Sequence, residues 1–143
     1  MKGNRRKARE DALQVLFQLD LNKTVSPTTG LAHFEHLFNP EGGAVDGFTR
    51  ELVVGVVENR EAIDSALAQA ADNWRKERMP AVDRNILRLG VFELCFRDDI
   101  PATVSINEMV ELAKHFGSEN TPAFVNGVLD RVKGTLQRPS KAK

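Results

Sequence analysis

The stretch AVDRNILRLGVFELCFR, residues 81–97, decides the fold because apolar residues cover most of its circumference when it is drawn as a helix. These apolar residues are Ile86, Leu87, Leu89, Val91, Phe92, Leu94 and Phe96. A helix that is hydrophobic nearly all round belongs at the centre of a protein. Its polar residues Asp83, Arg84 and Arg88 lie near its start, where the helix can leave the core and meet a partner. We therefore predict a central helix that opens at Pro80.

The remainder of the chain is also predicted to be helical, because strong helix formers recur at helical spacing and no stretch alternates apolar and polar residues between turn signals. The predicted helices cover about residues 4–21, 28–38, 46–71 with a break near Asn59, a short turn around Trp74, 80–97, 105–117 and 121–136. Ser105 and Glu108 are expected to form a capping box for the sixth helix, and Thr121 to cap the seventh. The fold class is therefore predicted to be all-α, with seven helices.

The length of 143 residues and the 41% hydrophobic content fit one domain with a real core. We expect this domain to span 1–138, with a subdomain boundary near 39–46 at the breaker run NPEGG, and with a disordered basic tail at 139–143. The single Cys95 has no partner for an internal disulfide, which favours a reduced, cytoplasmic protein. No apolar run approaches the roughly 18 residues of a membrane span, so no membrane association is expected.

The net charge of zero hides a segregation along the chain. Residues 1–9 and residues 131–143 each carry five basic residues and no acid, so all 20 acidic residues lie between them. Basic ends on an acidic body suggest a polyanion partner at the ends. The alternative is that the charged ends only keep the protein soluble, because terminal Lys and Arg runs are common.

The first helix changes from apolar residues to arginines along one face. A line that steps back from Leu16 through Ala12 and Arg9 reaches Arg5. Either the first two turns overhang the core, or their arginines face a ligand held where the core stops. Phosphate is a suitable ligand, because the planar guanidinium pairs with phosphate and stacks on bases.

The last predicted helix, TPAFVNGVLDRV at 121–132, carries a phenylalanine beside its apolar stripe. Phe124 lies about 100° from Val125 around the helix, on the flank of Arg131 and near Gly127. Single-stranded RNA is commonly held by aromatic rings that stack bases and by cations that contact the backbone. This pattern therefore favours an RNA-binding surface, and the alternative is that Phe124 covers a neighbouring helix.

Signals for catalysis are weak. HFEH at 33–36 places two histidines three apart without a further ligand set, which is more typical of a solvated helix face than of a metal site. The sequence has no phosphate loop, nucleophile elbow or zinc pattern, so we predict no enzyme, no metal site and no cofactor. Two other classes stay open. A purely protein-binding helical module would show no salt-dependent RNA affinity, and a hydrolase would need a cleft with a nucleophile and a base.

Four stretches resemble the NusB family of bacterial transcription antitermination factors. They are RRKAREDALQVLFQLD at 5–20, VDRNILRLGVFEL at 82–94, IPATVSINEMVELAKHFGSEN at 100–120 and FVNGVLD at 124–130. The resemblance implies a fold of two packed three-helix subdomains that binds single-stranded boxA RNA of ribosomal RNA leader transcripts. It also implies binding to NusE, a ribosomal small-subunit protein, within an RNA polymerase antitermination complex. Pairing of two chains in the absence of NusE stays open.

The resemblance also assigns roles to individual positions. The RNA-contacting positions that it implies are Arg5, Arg6, Lys7, Arg9, Phe116, Asn120 and Phe124, and the flank argument adds Arg131. The position that faces NusE falls on Asp83, with Arg84 as its neighbour. The resemblance therefore implies two RNA-binding regions, one on the first helix and one around the start of the last helix, and a separate protein-binding position.

Overall fold

The computed structural model describes residues 3–38, 47–71 and 79–136, and these ranges form helices without any strand. The helices are α1 (Gly3–Leu21), α2 (Pro27–Phe38), α3 (Gly47–Glu58), α4 (Arg60–Ala70), α5 (Ala81–Phe96), α6 (Ala102–Phe116) and α7 (Thr121–Thr135). The all-α prediction is confirmed, and the break near Asn59 separates α3 from α4. The predicted turn around Trp74 and the predicted disordered tail at 139–143 lie outside the described residues.

The chain divides into two compact units, unit 1 at Met1–Glu58 and unit 2 at Asn59–Lys143. This division falls between α3 and α4, whereas the sequence suggested a boundary near 39–46, a segment outside the described residues. The later position follows from packing, because α3 lies against α1 and α2 and so belongs to the first unit.

Unit 1 is built around the apolar face of α1. The residues predicted for this face, Ala12, Leu13, Leu16 and Leu19, are all buried. They pack with buried residues of α2 and α3, namely Leu31, Phe34, Leu52, Val53 and Val56. Gly30 lets α1 and α2 approach closely, since a Cβ atom there would lie 2.9 Å from the Leu19 side chain. The apolar part of α1 thereby fixes the helix whose first turns carry the arginines.

Unit 2 is built around α5, as predicted. Every residue from Asn85 to Leu94 is buried, and α4, α6 and α7 all pack against this helix. Gly90 marks the closest approach to α7, because a Cβ atom there would lie 2.6 Å from Leu129. At the end of α5, Phe96 is 43% exposed, so the apolar surface of this helix reaches the solvent there.

The sequence placed Arg88 among the polar residues at the start of α5 that could meet a partner. In the structure Arg88 is instead part of a buried ion pair. Its side chain is 4% exposed, and its Nε and Nη2 atoms donate to the two carboxylate oxygens of Asp64, each at 3.0 Å. A bidentate pair of this kind neutralises a charge that burial would otherwise penalise. Arg88 therefore joins α5 to α4 and is not available to a partner.

The capping box predicted at Ser105 and Glu108 is wrong. α6 begins three residues earlier, at Ala102, after Pro101 with a φ of −60°. The Ser105 hydroxyl lies inside the helix and donates to Oε1 of Glu93 at 2.7 Å in the buried core. Ser105 thus donates a hydrogen bond to a buried carboxylate on a neighbouring helix, although its sequence position alone suggested a helix cap.

Candidate nucleic-acid interface

The first candidate region is the basic arm, which we define as Arg5, Arg6, Lys7 and Arg9 on α1. Arg5 and Lys7 are exposed, Arg6 is half-buried, and Arg9 is only 3% exposed. The predicted line of cations is thus divided between surface and interior. Arg5 and Lys7 can meet a ligand directly, whereas Arg9 lies in the layer beneath them.

An aromatic ring lies against two of these arginines. The Cζ atom of Arg5 is 4.2 Å from the centroid of the Phe48 ring, and the Cζ atom of Arg9 is 5.3 Å from it. Both distances are within the range of a cation–π interaction. The next residue, Thr49, donates a buried hydrogen bond to the carbonyl oxygen of Ala8 at 3.1 Å. Sequence reasoning missed Phe48, because it lies about 40 residues from the arm and no local pattern connects the two.

Lys7 is paired within its own helix. Its Nζ atom lies 2.9 Å from Oδ1 of Asp11, one turn later, and the lysine side chain is 66% exposed. An exposed pair of this kind contributes little to stability. The carboxylate of Asp11 offsets part of the positive charge that Lys7 adds to this surface.

The second candidate region lies where α6 ends and α7 begins, and we call it the α6–α7 face: Phe116, Asn120 and Phe124. The fourth residue predicted for this region, Arg131, lies further along α7. Phe116 and Phe124 are each 39% exposed, and Asn120 is exposed directly before α7. A Cβ atom added at Gly127 would meet nothing within 4 Å, so the surface is open beside Phe124. The apolar stripe predicted for α7 is buried at Val125, Val128, Leu129 and Val132.

Arg131 is exposed and also has a structural contact. Its Nη1 atom donates to the carbonyl oxygen of Ala70 at 3.3 Å. Ala70 is the last residue of α4, where carbonyl groups lack helical partners and a cation is favourable. The predicted RNA-binding arginine is therefore held at the end of α4 by one of its N–H groups.

The cap predicted at Thr121 is wrong, because no side chain caps α7. Thr121 is 1% exposed, and its Oγ1 atom accepts from the N–H of Ser118 at 2.9 Å. The same hydroxyl donates to the carboxylate of Asp83, whose oxygens lie at 3.1 and 3.3 Å. Gly117 permits this arrangement, since a Cβ atom there would lie 2.6 Å from the Thr121 side chain. The hydroxyl thus closes the α6–α7 turn and ties it to α5.

The two predicted partner-binding residues lie together in the first turn of α5. Asp83 and Arg84 are both half-buried. Asp83 accepts the hydrogen bond from Thr121, and Nη1 of Arg84 donates to the carbonyl oxygen of Met79 at 3.0 Å. The same carboxylate therefore orients the α6–α7 turn and presents a negative charge at the start of the central helix.

Within residues 3–38, 47–71 and 79–136, no cluster of three or more His, Cys, Asp or Glu side chains is arranged to hold a metal ion. The histidines of HFEH, His33 and His36, are both exposed on α2. In the same ranges, no helix combines the length and the apolar character that a bilayer crossing requires.

Comparison with known families gives one match that spans most of the chain. The profile described as NusB family matches residues 6–133. A transcription antitermination protein NusB from Myxococcus xanthus is 47% identical over 140 residues, which are 96% of this chain and 99% of that protein. The protein of the same description from Bacillus licheniformis is 45% identical over 133 residues, 93% of this chain and 98% of the relative.

Solved structures give the same result. A T. maritima NusB structure has a TM-score of 0.82 and 33% identity, and covers 99% of this chain and 98% of the other. A crystal structure of antitermination factors NusB and NusE in complex with double-stranded RNA has a TM-score of 0.83 and 29% identity, and covers 95% of this chain and 100% of the matched one. The fold and nearly the full length are thus shared.

Proposed function

The chain belongs to the NusB family, and from this premise we propose that it is a transcription antitermination factor that binds boxA-type RNA together with NusE. The observation that carries the proposal is the match over nearly the whole length, to relatives described as antitermination proteins and to a structure that contains NusE and RNA. A catalytic step is not part of this function.

The basic arm and the α6–α7 face supply different parts of RNA binding. Arg5, Arg6 and Lys7 neutralise phosphates, and each phosphate contact contributes about 0.7 to the log–log salt slope for a single strand. Phe116 and Phe124 stack unpaired bases, which is supported by their partial exposure on adjacent helix ends. Arg9 and Arg131 contribute positive charge while Arg9 lies against the Phe48 ring and Arg131 is hydrogen-bonded to the Ala70 carbonyl oxygen.

The first turn of α5 is the site for NusE. Asp83 offers a carboxylate to a basic protein, and Arg84 lies beside it. Reversing the charge of Asp83 would also disrupt the hydrogen bond that Thr121 donates to it. Asp83→Asn avoids this, because the amide oxygen of asparagine can still accept that hydrogen bond. We expect Asp83→Asn to weaken NusE binding in calorimetry with RNA binding retained. Asp130→Asn, the same change at an exposed site on α7, is the matched control.

The RNA proposal is tested by fluorescence anisotropy of a boxA-like single strand, a scrambled strand and a duplex, with and without NusE, at two salt concentrations. We expect tighter, salt-sensitive and sequence-selective binding of the boxA-like strand when NusE is present. Equal affinity for the two strands would reduce the arm to a general cation patch. Absence of RNA binding together with intact NusE binding would favour the protein-binding module instead.

The proposal extends to the assembly in which the protein acts. The NusE-bound form joins an RNA polymerase antitermination complex in the cytoplasm, and two chains pair through apolar surface when NusE is absent. Sedimentation velocity with and without NusE tests the pairing. A dimer that NusE converts to a one-to-one complex is the expected result, and a monomer at all concentrations would remove the pairing from the proposal.

A further inference from the structure

Arg5 and Arg9 form an arrangement that is unfavourable in an isolated helix. They are spaced four residues apart on α1, where like charges repel one another. The structure nevertheless brings both guanidinium groups to the ring of Phe48, one at 4.2 Å and the other at 5.3 Å. The negative face of an aromatic ring attracts cations and so offsets this repulsion. Two positive charges therefore lie close together at this ring, with Arg9 buried and Arg5 exposed.

We propose that Phe48 is a positioning residue for RNA binding, which holds the exposed Arg5 side chain ready for a phosphate without touching RNA itself. The inference rests on the proposed function, because it assumes that the basic arm binds RNA. Phe48 is 8% exposed and is therefore too buried to stack a base. Arg5 is exposed, so the group that the ring holds is the group that a ligand reaches.

The physical gain is preorganisation. A free arginine side chain samples many rotamers and loses that freedom when it binds, whereas a side chain held against a ring has already lost part of it. The attraction to the ring acts on the charge of the guanidinium, so N–H donors remain for a phosphate. Phe48 thus raises RNA affinity through Arg5.

The main chain of the arm is fixed by the same turn of α3. Thr49 is fully buried, and its hydroxyl donates to the carbonyl oxygen of Ala8, the residue directly before Arg9. Consecutive residues of α3 therefore hold the backbone and the cations of the arm. This contact keeps α1 in register with the ring, which a cation–π interaction alone would not ensure.

The test is a double-mutant cycle between Phe48 and Arg5, measured as the Kd for the boxA-like single strand by fluorescence anisotropy. Phe48→Leu removes the ring and keeps apolar volume, and Phe48→Tyr keeps a ring. We expect Phe48→Leu to weaken binding about two- to fivefold, Phe48→Tyr to stay near the wild-type value, and Phe48→Leu to have no further effect when Arg5 is alanine. Arg50→Ala removes an exposed cation from α3 and is the matched control, with unchanged affinity expected.

A purely structural role for Phe48 predicts different observations. It would lower the melting temperature and weaken binding whether or not Arg5 is present. The Nε–Hε resonance of Arg5 in a ¹⁵N spectrum can be read in the wild-type protein. A ring that lies against the guanidinium shifts this resonance upfield. That shift is expected in the wild type and is expected to disappear in Phe48→Leu. Its absence in the wild type would overturn the inference even if Phe48→Leu did not fold.

The outcomes separate this inference from the proposed function. If Arg5→Ala weakens RNA binding but Phe48→Leu does not, or if their effects add, Phe48 has no positioning role and the arm still binds RNA. If Arg5→Ala leaves RNA binding unchanged, Arg5 has no role in RNA binding and the inference falls, while the proposed function still stands on Arg6 and Lys7.

Discussion

The basic arm of unit 1 and the α6–α7 face of unit 2 differ in what they expose and in what holds them. The arm exposes cations and is supported by the ring of Phe48. The α6–α7 face exposes aromatic rings and is supported by the hydrogen bonds of Thr121. Charge acts over a Debye length and weakens with salt, whereas stacking acts at contact and does not. Changes in the two regions should therefore give separable effects on stability, affinity and salt dependence.

The largest effect is expected from Thr121→Val, which removes the support of the α6–α7 face. The Asp83 carboxylate loses a donor and the Ser118 N–H loses an acceptor. Because a hydrogen bond to a charged group contributes about 1.5–3 kcal/mol, the free energy of unfolding should fall by that amount. Urea denaturation measures it, and Thr121→Ser, which keeps the hydroxyl, is the control. Equal stability of the valine and serine variants would show that the network contributes nothing.

Phe124→Ala should affect binding without affecting folding. The ring is 39% exposed, so its removal leaves the buried stripe of α7 intact. Stacking contributes about 1–3 kcal/mol per base, and the RNA affinity should fall accordingly at an unchanged salt slope. Anisotropy at several salt concentrations measures both quantities. A loss of stability with unchanged affinity would instead make Phe124 a cover for a neighbouring helix.

Arg5→Ala is the counterpart in the basic arm. Removal of one phosphate contact should reduce the log–log salt slope by about 0.7 and weaken binding most at low salt. The same anisotropy series provides the measurement, with Arg50→Ala as the control for a lost cation elsewhere in unit 1. A slope equal to that of the wild type would exclude Arg5 from phosphate binding.

The smallest effect is expected from Asp11→Asn. This change removes the carboxylate that lies 2.9 Å from Lys7 and so raises the positive potential of the arm. Exposed ion pairs contribute about 0.2–1 kcal/mol, so RNA affinity should rise by no more than a few-fold. The gain should vanish at high salt. An unchanged or lower affinity at low salt would contradict a role of Lys7 in RNA binding.

The helices could be predicted from sequence because their buried faces repeat locally. α5 was predicted as the central helix from its apolar circumference, and the faces of α1 and α7 from their spacing. These predictions needed no knowledge of which helices meet. The end of α5 shows the limit, since Phe96 continues the apolar pattern and is 43% exposed.

The support of the candidate site could not be predicted, because it depends on contacts between distant parts of the sequence. Ser105 pairs with Glu93 twelve residues away, and Thr121 pairs with Asp83 across a separation of 38. Both serine and threonine also fit the pattern of a helix cap, so the local interpretation was chosen and was wrong. The exposure of Arg5 and Phe124 could be predicted, because Arg5 follows the end of the apolar line on α1 and Phe124 lies beside the apolar stripe of α7.

The most direct test of the account is a titration of the ¹⁵N-labelled protein, in complex with NusE, with the boxA-like single strand. We expect amide shifts to concentrate at residues 5–9 and at residues 116–127, while residues 27–37 of α2 stay unchanged. Shifts in both regions would support two RNA-contacting surfaces, an electrostatic one on unit 1 and a stacking one on unit 2. Shifts confined to one region, or spread equally over α2, would contradict the account.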